Sequence, residues 1–205
     1  MTSSFWLILL TVLAYGLVHS LLASLTIKTK AAQLIGPSVD RWYRLVFNFI
    51  AVVTFLPILL MPLLLSDKQI YAIPIPWVIL SLMLQALAVI ALLVGLRQTG
   101  ITSFLGLRQA FVAEGSTPHP MVVDGLYHYV RHPLYTAGLT FIWLSPVMTW
   151  NLLALIIGLT IYILIAIPFE ERKLVREFGK TYTDYRLKTP MLIPGLIILH
   201  PEHKA

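Results

Sequence analysis

Three stretches of this chain are apolar for long enough to cross a lipid bilayer, and they fix most of what it can fold into. A helix covers the hydrocarbon core with roughly 20 mostly apolar residues. Phe5–Leu25 does so with only mild polar interruptions and His19, Leu45–Leu65 contains Asn48, Pro57 and Pro62, and Trp77–Leu96 contains a lone Gln85. Prolines inside the second span predict kinks, which packed membrane helices tolerate when neighbours satisfy the freed carbonyls. A fourth apolar stretch, Leu134–Phe169, is too long for one ordinary span, and Ser145-Pro146 with Thr149-Trp150-Asn151 breaks it near the middle. It reads as a tight helical hairpin of two short spans, roughly Leu134–Met148 and Leu152–Phe169.

Composition closes off the alternatives. Of 205 residues, 58% are hydrophobic and 12% charged, and the mean hydropathy is +0.83. That is about half the roughly 25% charge of a soluble domain, and a water-soluble globule of this size could not hide so much apolar surface. Disorder is excluded for the same reason. With no cysteine, a disulfide scaffold and a cysteine-ligated zinc or iron–sulfur site are excluded. The fold class is an all-α integral membrane protein of about five transmembrane helices with an amphipathic C-terminal helix.

Lysines and arginines concentrate on the cytoplasmic side of a membrane. Lys28, Lys30, Arg41 and Arg44 lie between the first two spans, and Arg97, Arg108 and Arg131 precede the hairpin. Arg172, Lys173, Arg176, Lys180, Arg186, Lys188 and Lys204 lie in the tail. Five spans put fourteen of the fifteen basic residues on one side, leaving only Lys68 opposite. Four spans would send the seven tail charges across. The consistent topology has the N-terminus outside and the C-terminus in the cytoplasm, in a bacterial inner membrane or its equivalent. Met1–Ser4 carries no positive charge and no clear cleavage site follows, so the first span reads as uncleaved. The net charge of +6 is what a membrane-facing basic surface requires. It calls for no nucleic acid, and nothing calls for a protein partner.

The chain reads as a single membrane domain: three spans in residues 1–96, then a loop, hairpin and tail in residues 97–194. Arg97–Pro133 is too long for an idle connector and is rich in Gly, Ser, Thr, Pro and His. From Glu170 onward, Leu174, Phe178, Tyr182 and Tyr185 fall at helical spacing beside basic residues, predicting one amphipathic helix. The apolar run Met191–Leu199 is too short to cross and is expected in the interface or against the bundle.

Chemistry-bearing residues gather in two places on the predicted cytoplasmic side. One runs from His119-Pro120-Met121-Val122 through Gly125 and Tyr127 to Arg131-His132-Pro133-Leu134-Tyr135 and Gly138; the other is Glu170-Glu171. Pro133 suits the first turn of a helix. Tyr135 and Gly138 then share a face, and Gly138 would permit close approach of a ligand or backbone. The bland readings are an interfacial Arg-His pair, an aromatic belt of Tyr127, Tyr129 and Tyr135, helix packing at Gly138, and solvated acids at Glu170 and Glu171. Against them, polar clusters held beside hydrocarbon are expensive and tend to be functional.

The ordered set His119-x-x-Val122-x-x-Gly125-x-Tyr127, Arg131-His132-Pro133-x-Tyr135-x-x-Gly138, Glu170-Glu171-x-x-Leu174-x-x-x-Phe178-Gly179-x-x-Tyr182-x-x-Tyr185 and Pro190-x-Leu192-Ile193-Pro194 resembles the isoprenylcysteine carboxyl methyltransferase and phospholipid methyltransferase superfamily. The likeness covers roughly Arg97–Pro194. The first spans resemble the nurim and NnrU-like branch, partly through His19-Ser20. The resemblance implies an integral membrane methyltransferase using S-adenosylmethionine, with no metal required. Carried over by position, His119, Pro120, Met121 and Val122 would hold the cofactor with Tyr127 beside them. His132, Pro133, Leu134 and Tyr135 would form a second wall, Gly138 would leave room, and Glu170 would meet the amino end of the cofactor. Arg131 or His132 would serve its carboxylate, and Arg131 and Glu171 are candidates for acceptor-side catalytic roles.

One position departs from the resemblance. The prenylcysteine enzymes resemble each other in an arginine about one turn before the glutamate pair, and here that position is Ala166, inside the uncharged run Ile163–Pro168. A carboxylate acceptor would find no partner there, which favours a neutral lipophilic acceptor, a thiol, amine or lipid headgroup, drawn from the bilayer. The competing reading is a non-catalytic nurim-like membrane protein that keeps the fold. A transporter is disfavoured, because Asn48 and Gln85 are the only strongly polar mid-span candidates and no inverted repeat is visible.

Overall fold

A computed structural model describes residues 2–36, 38–111 and 121–196. Among these, four helices are long and apolar enough to cross a membrane: α1 (Ser3–Leu22), α3 (Ser38–Leu64), α4 (Trp77–Thr99) and α9 (Trp150–Phe178). Between α1 and α3 lies α2 (Leu25–Ile35), and β1 (Gln69–Ala72) links α3 to α4. Short helices α5 (Ile101–Leu105), α6 (Leu107–Phe111) and α7 (Leu126–Tyr129) follow, then α8 (Pro133–Trp143), β2 (Val147–Thr149), α9 and α10 (Lys180–Lys188).

Local chemistry explains the helix starts. The hydroxyls of Thr2, Ser24 and Thr149 accept the backbone N–H groups of Phe5, Ile27 and Leu152, capping α1, α2 and α9. Pro133 opens α8, where its missing N–H costs nothing. Gly179, at φ +56°, separates α9 from α10 with a backbone that side chains rarely adopt. The tail is therefore not one amphipathic helix beginning at Glu170. Glu170–Phe178 completes α9, and α10 is a separate helix after the glycine.

The hairpin differs from its expected form as well. Its first arm is helical for only 11 residues, about 16 Å at 1.5 Å per residue, against a core of roughly 30 Å. A turn at Leu144 leads into β2, which pairs antiparallel with β1, Gln69 opposite Thr149 and Ala72 opposite Val147. A helix ending at mid-height leaves carbonyls without partners. Here α4 supplies donors: Ser81 Oγ donates to the Leu144 carbonyl, and Gln85 Nε2 donates to that of Phe141 at 2.9 Å. The Trp143 indole donates to Thr160 Oγ1 at 3.0 Å, fixing the height of this end against α9.

The bundle core runs along the α1–α9 seam, where Phe5, Ile8 and Val12 meet Ala154 and Leu155, with Ile58 of α3 closing the cluster. Small residues allow the approach. A Cβ added at Gly158 would fall 2.8 Å from Val12, and one at Gly16 would fall 2.6 Å from the Tyr162 ring. Such packing replaces hydrophobic exclusion as the cohesive term inside lipid.

The two ends of the bundle differ in kind. At the strand end the fully buried Asn151 ties three segments: its amide nitrogen donates to the carbonyls of Leu65 and Ser66, its backbone N–H to Asp67, and its Oδ1 accepts from the Thr2 hydroxyl at 3.4 Å. At the opposite end Tyr43 and Lys173 donate to the carbonyls of Leu22 and Ala23, tying α3 and α9 to the end of α1. At this second end α10 meets α7 through Tyr185 and Tyr127, and the segment after α10 meets the start of α8.

Candidate functional site

At this end the two distant polar clusters meet. Arg131 Nε donates to Glu171 Oε1 at 2.7 Å, and both side chains are 10% exposed. A terminal guanidinium nitrogen of Arg131 donates to the carbonyls of Thr189 at 2.6 Å and Arg186 at 3.0 Å. His132 Nε2 stands 3.2 Å from the same Glu171 oxygen, and Arg186 reaches the other oxygen at 3.9 Å. A carboxylate only accepts, so Nε2 of His132 carries the proton in this contact. Glu171 is thus held from three directions, by Arg131, His132 and Arg186.

Glu170 is placed differently, because adjacent helical residues diverge by about 100°. Its side chain is 45% exposed; Oε2 accepts from the Tyr135 hydroxyl at 3.0 Å, while His132 Nδ1 lies 3.8 Å away, too far for a hydrogen bond. The rings of His132 and Tyr135 are stacked at 5.7 Å. Glu170 therefore keeps acceptor capacity that Glu171 has spent.

The tail closes over these residues. The backbone N–H groups of Arg131 and His132 donate to the carbonyls of Pro190 and Met191 at 2.9 and 3.2 Å, and Thr136 Oγ1 donates to Leu192 at 2.8 Å. The Tyr185 hydroxyl donates to the Tyr127 carbonyl at 2.5 Å, locking α10 to α7. Burial pushes both phenols up to about 12; the charge of Glu170 adds to this at Tyr127, whereas Arg131 opposes it at Tyr185. Tyr182 is buried in α10 and its phenol is likewise raised, by burial first and then by Glu171.

Of the residues singled out by sequence, Arg131, His132, Tyr135, Glu170 and Glu171 form one contact set, and Tyr127 joins it through Tyr185 and the field of Glu170. Pro133 is buried at the start of α8, and Leu134 lies against Gly95 of α4. A Cβ added at Gly138 would meet no atom within 4 Å, so this face of α8, one turn beyond Tyr135, borders open space. Met121 and Val122 are half-buried in the extended approach to α7. His119 and Pro120 lie outside the described residues. Arg186 and Thr189 join the site unforeseen, and the Pro190–Leu192 part of the quoted motif joins it through its backbone. The spacing of Tyr182 and Tyr185 was the signal for them, read in sequence as one side of an amphipathic helix.

Residues 76–181, just over half of the chain and including Tyr127, Arg131, His132, Tyr135, Glu170 and Glu171, match the family model for phospholipid methyltransferases. The chain belongs to the phospholipid methyltransferase family. Within it, the chain is 48% identical over 94 residues to methanethiol S-methyltransferase 2 of Bradyrhizobium diazoefficiens, covering 44% of this chain and 36% of that one. It is 42% identical over 92 residues to a methanethiol S-methyltransferase of Crocosphaera subtropica, covering 43% and 36%. It is also 39% identical over 83 residues to a protein-S-isoprenylcysteine O-methyltransferase of Schizosaccharomyces pombe, covering 37% and 34%. The matched part spans about a third of the length of these curated relatives. No solved structure matches.

Proposed function

We propose that this family member is an S-adenosylmethionine-dependent membrane methyltransferase whose acceptor is a small or lipophilic neutral thiol. The observation that carries the donor side is the division of labour between two adjacent carboxylates. Glu171 is held by Arg131 and His132, whereas Glu170 is half exposed, oriented by Tyr135, and has lone pairs to spare. A carboxylate so held is a partner for the ammonium group of an amino-acid-like donor. The space beside Gly138 gives that donor room next to Tyr135, and aromatic faces suit a sulfonium cation.

S-adenosylmethionine supplies a methyl group activated by its positive sulfur. The residues of the chain bind and orient: Glu170 and Tyr135 hold the amino end, Tyr127 and the stacked His132 border the pocket, and Arg131 with Glu171 positions His132 and the tail. An in-line transfer gains most from such alignment and from exclusion of water. Arg131 and Glu171 thus act on this reading as positioning residues, because their polar atoms are bonded to the protein.

The acceptor side rests on Ala166 and the relatives. No cation stands one turn before Glu170 to meet a carboxylate, and curated relatives at 39–48% identity carry the name methanethiol S-methyltransferase. Purified protein in detergent, given S-adenosylmethionine and methanethiol, is expected to release dimethyl sulfide. Turnover of a prenylcysteine carboxylate with none of methanethiol would overturn the thiol reading. Failure to bind S-adenosylmethionine would favour the non-catalytic alternative.

The same reading takes the chain through the membrane five times with the site in the cytoplasm. From Trp150 to Glu171 α9 rises about 32 Å. The segment from His132 to Trp150 covers the same height, being joined to α9 at Glu171, at Thr160 and at the strand end.

A further inference from the structure

A cavity of about 430 Å³ lies between α1 and α3, outside the region matched by the family model. Aliphatic and aromatic side chains make up most of its wall, and it opens where Val18 and Ile50 are exposed on the lipid-facing surface. Its volume falls within the range of small-molecule sites.

Only four side chains along this wall carry polar atoms, and their hydrogen bonds can be followed one by one. Thr11 and Thr54 donate to the carbonyls of Leu7 and Ile50 in their own helices, both at 2.7 Å. The Tyr15 hydroxyl donates to the Ala51 carbonyl at 3.1 Å. Having spent its one proton there, it meets His19 Nδ1 at 3.5 Å as the acceptor. Assigning the hydroxyl proton to Ala51 assigns the hydrogen of a neutral His19 to Nδ1, and Nε2 then offers a lone pair with no hydrogen bond among the described residues.

That imidazole is connected to the site. Its ring stands 4.7 Å from Phe47 and meets Tyr162 edge-on at 6.0 Å. Tyr162, Ala166 and Glu170 follow at four-residue intervals, on one face of α9. Tyr162 lies within electrostatic reach of both Glu170 and Tyr135. The face that lacks a cation at Ala166 is thus approached from α1 by a neutral base.

We propose that the α1–α3 cavity takes the alkyl chain of the thiol acceptor and that His19 Nε2 accepts its proton. The step balances. The S–H bond breaks and its proton passes to Nε2, and the sulfur electron pair forms the new bond to the methyl carbon. The donor's S–C bond breaks, its electrons staying on the departing thioether, and water later removes the proton from the imidazolium. The inference rests on the thiol reading above and adds to it an alkyl-chain pocket and a base.

The test uses the full chain in detergent with 1-octanethiol and the more acidic thiophenol, comparing wild type with His19→Gln and His19→Ala. S-adenosylmethionine binding and the unfolding temperature serve as controls for folding. A general base contributes about 10²–10⁴-fold, so kcat for octanethiol is expected to fall at least about 100-fold in both variants. The loss should be smaller for thiophenol, which ionises without help, and added imidazole should restore part of the rate in His19→Ala. Independently of turnover, ¹⁵N-histidine spectra should show a protonated Nδ1 and an unprotonated Nε2 at position 19, the latter shifting when octanethiol is added. Equal kcat in variants and wild type, or the opposite tautomer, would overturn the role of His19. A wild type that binds S-adenosylmethionine but methylates no thiol would instead overturn the function on which it rests.

Discussion

Arg131 and Glu171, forty residues apart in sequence, form a 2.7 Å ion pair that joins the mouth of α8 to the end of α9. With each side chain 10% exposed, neither charge has much water to fall back on. Breaking a buried pair costs about 3–5 kcal/mol where nothing else compensates, and Glu171 without Arg131 would keep only His132 and the distant Arg186. Arg131 also donates to the carbonyls of Arg186 and Thr189, so its loss would release the tail too. Arg131→Ala is expected to lower the detergent unfolding temperature markedly, and Glu171→Gln, which still accepts, less so. Unchanged melting in Arg131→Ala would show that the pair does not hold the tail.

Glycines on two helices should respond oppositely to the same substitution. At Gly158 an alanine Cβ would lie 2.8 Å from Val12, and such overpacking costs about 1–3 kcal/mol. At Gly138 a Cβ meets open space, and alanine in a helix gains about 0.5–1 kcal/mol over glycine. Thermal melts of Gly158→Ala and Gly138→Ala should therefore shift in opposite directions. Gly138→Leu, which fills the space, should keep its stability and lose S-adenosylmethionine affinity. Undiminished affinity would place the donor elsewhere.

The absence of cysteine makes topology simple to measure. Ser66→Cys at the strand end and Thr181→Cys in α10 are both exposed positions. In intact cells an impermeant maleimide should label the first, and the second only after lysis. Labelling of both from outside would mean four crossings in place of five.

The long apolar elements were legible because hydropathy is local. Phe5–Leu25 corresponds to α1, Leu45–Leu65 to the apolar part of α3, and Trp77–Leu96 to α4. What escaped was set by contacts distant in sequence. α3 begins at Ser38, ahead of its apolar stretch, because Arg41 and Arg44 ride its first turns, and Arg41 is anchored to the Ala110 carbonyl. α8 stops at Trp143 because Ser81 and Gln85 of α4 and the β1 strand satisfy the backbone beyond it. No local periodicity in Leu134–Met148 announces partners some 60 to 80 residues earlier.

The site was legible as a set of residues but not as a set of roles. Arg131, His132, Tyr135, Glu170 and Glu171, quoted together from the motifs, lie in one contact set. Which glutamate was engaged depended on the rotation of α9, and a dipeptide carries no information about that. Tyr182 and Tyr185 had the spacing of one continuous amphipathic helix, yet Gly179 breaks it and the Tyr185 hydroxyl bonds Tyr127.

On the proposed function, Glu170, and not its neighbour, holds the amino end of the donor. Calorimetric titration of S-adenosylmethionine into wild type, Glu170→Gln and Glu171→Gln tests it most directly. A hydrogen bond to a charged group contributes about 1.5–3 kcal/mol. Glu170→Gln should therefore bind roughly 10- to 150-fold more weakly while melting at the wild-type temperature. Wild-type affinity in Glu170→Gln, or a wild type that binds no S-adenosylmethionine, would contradict the account.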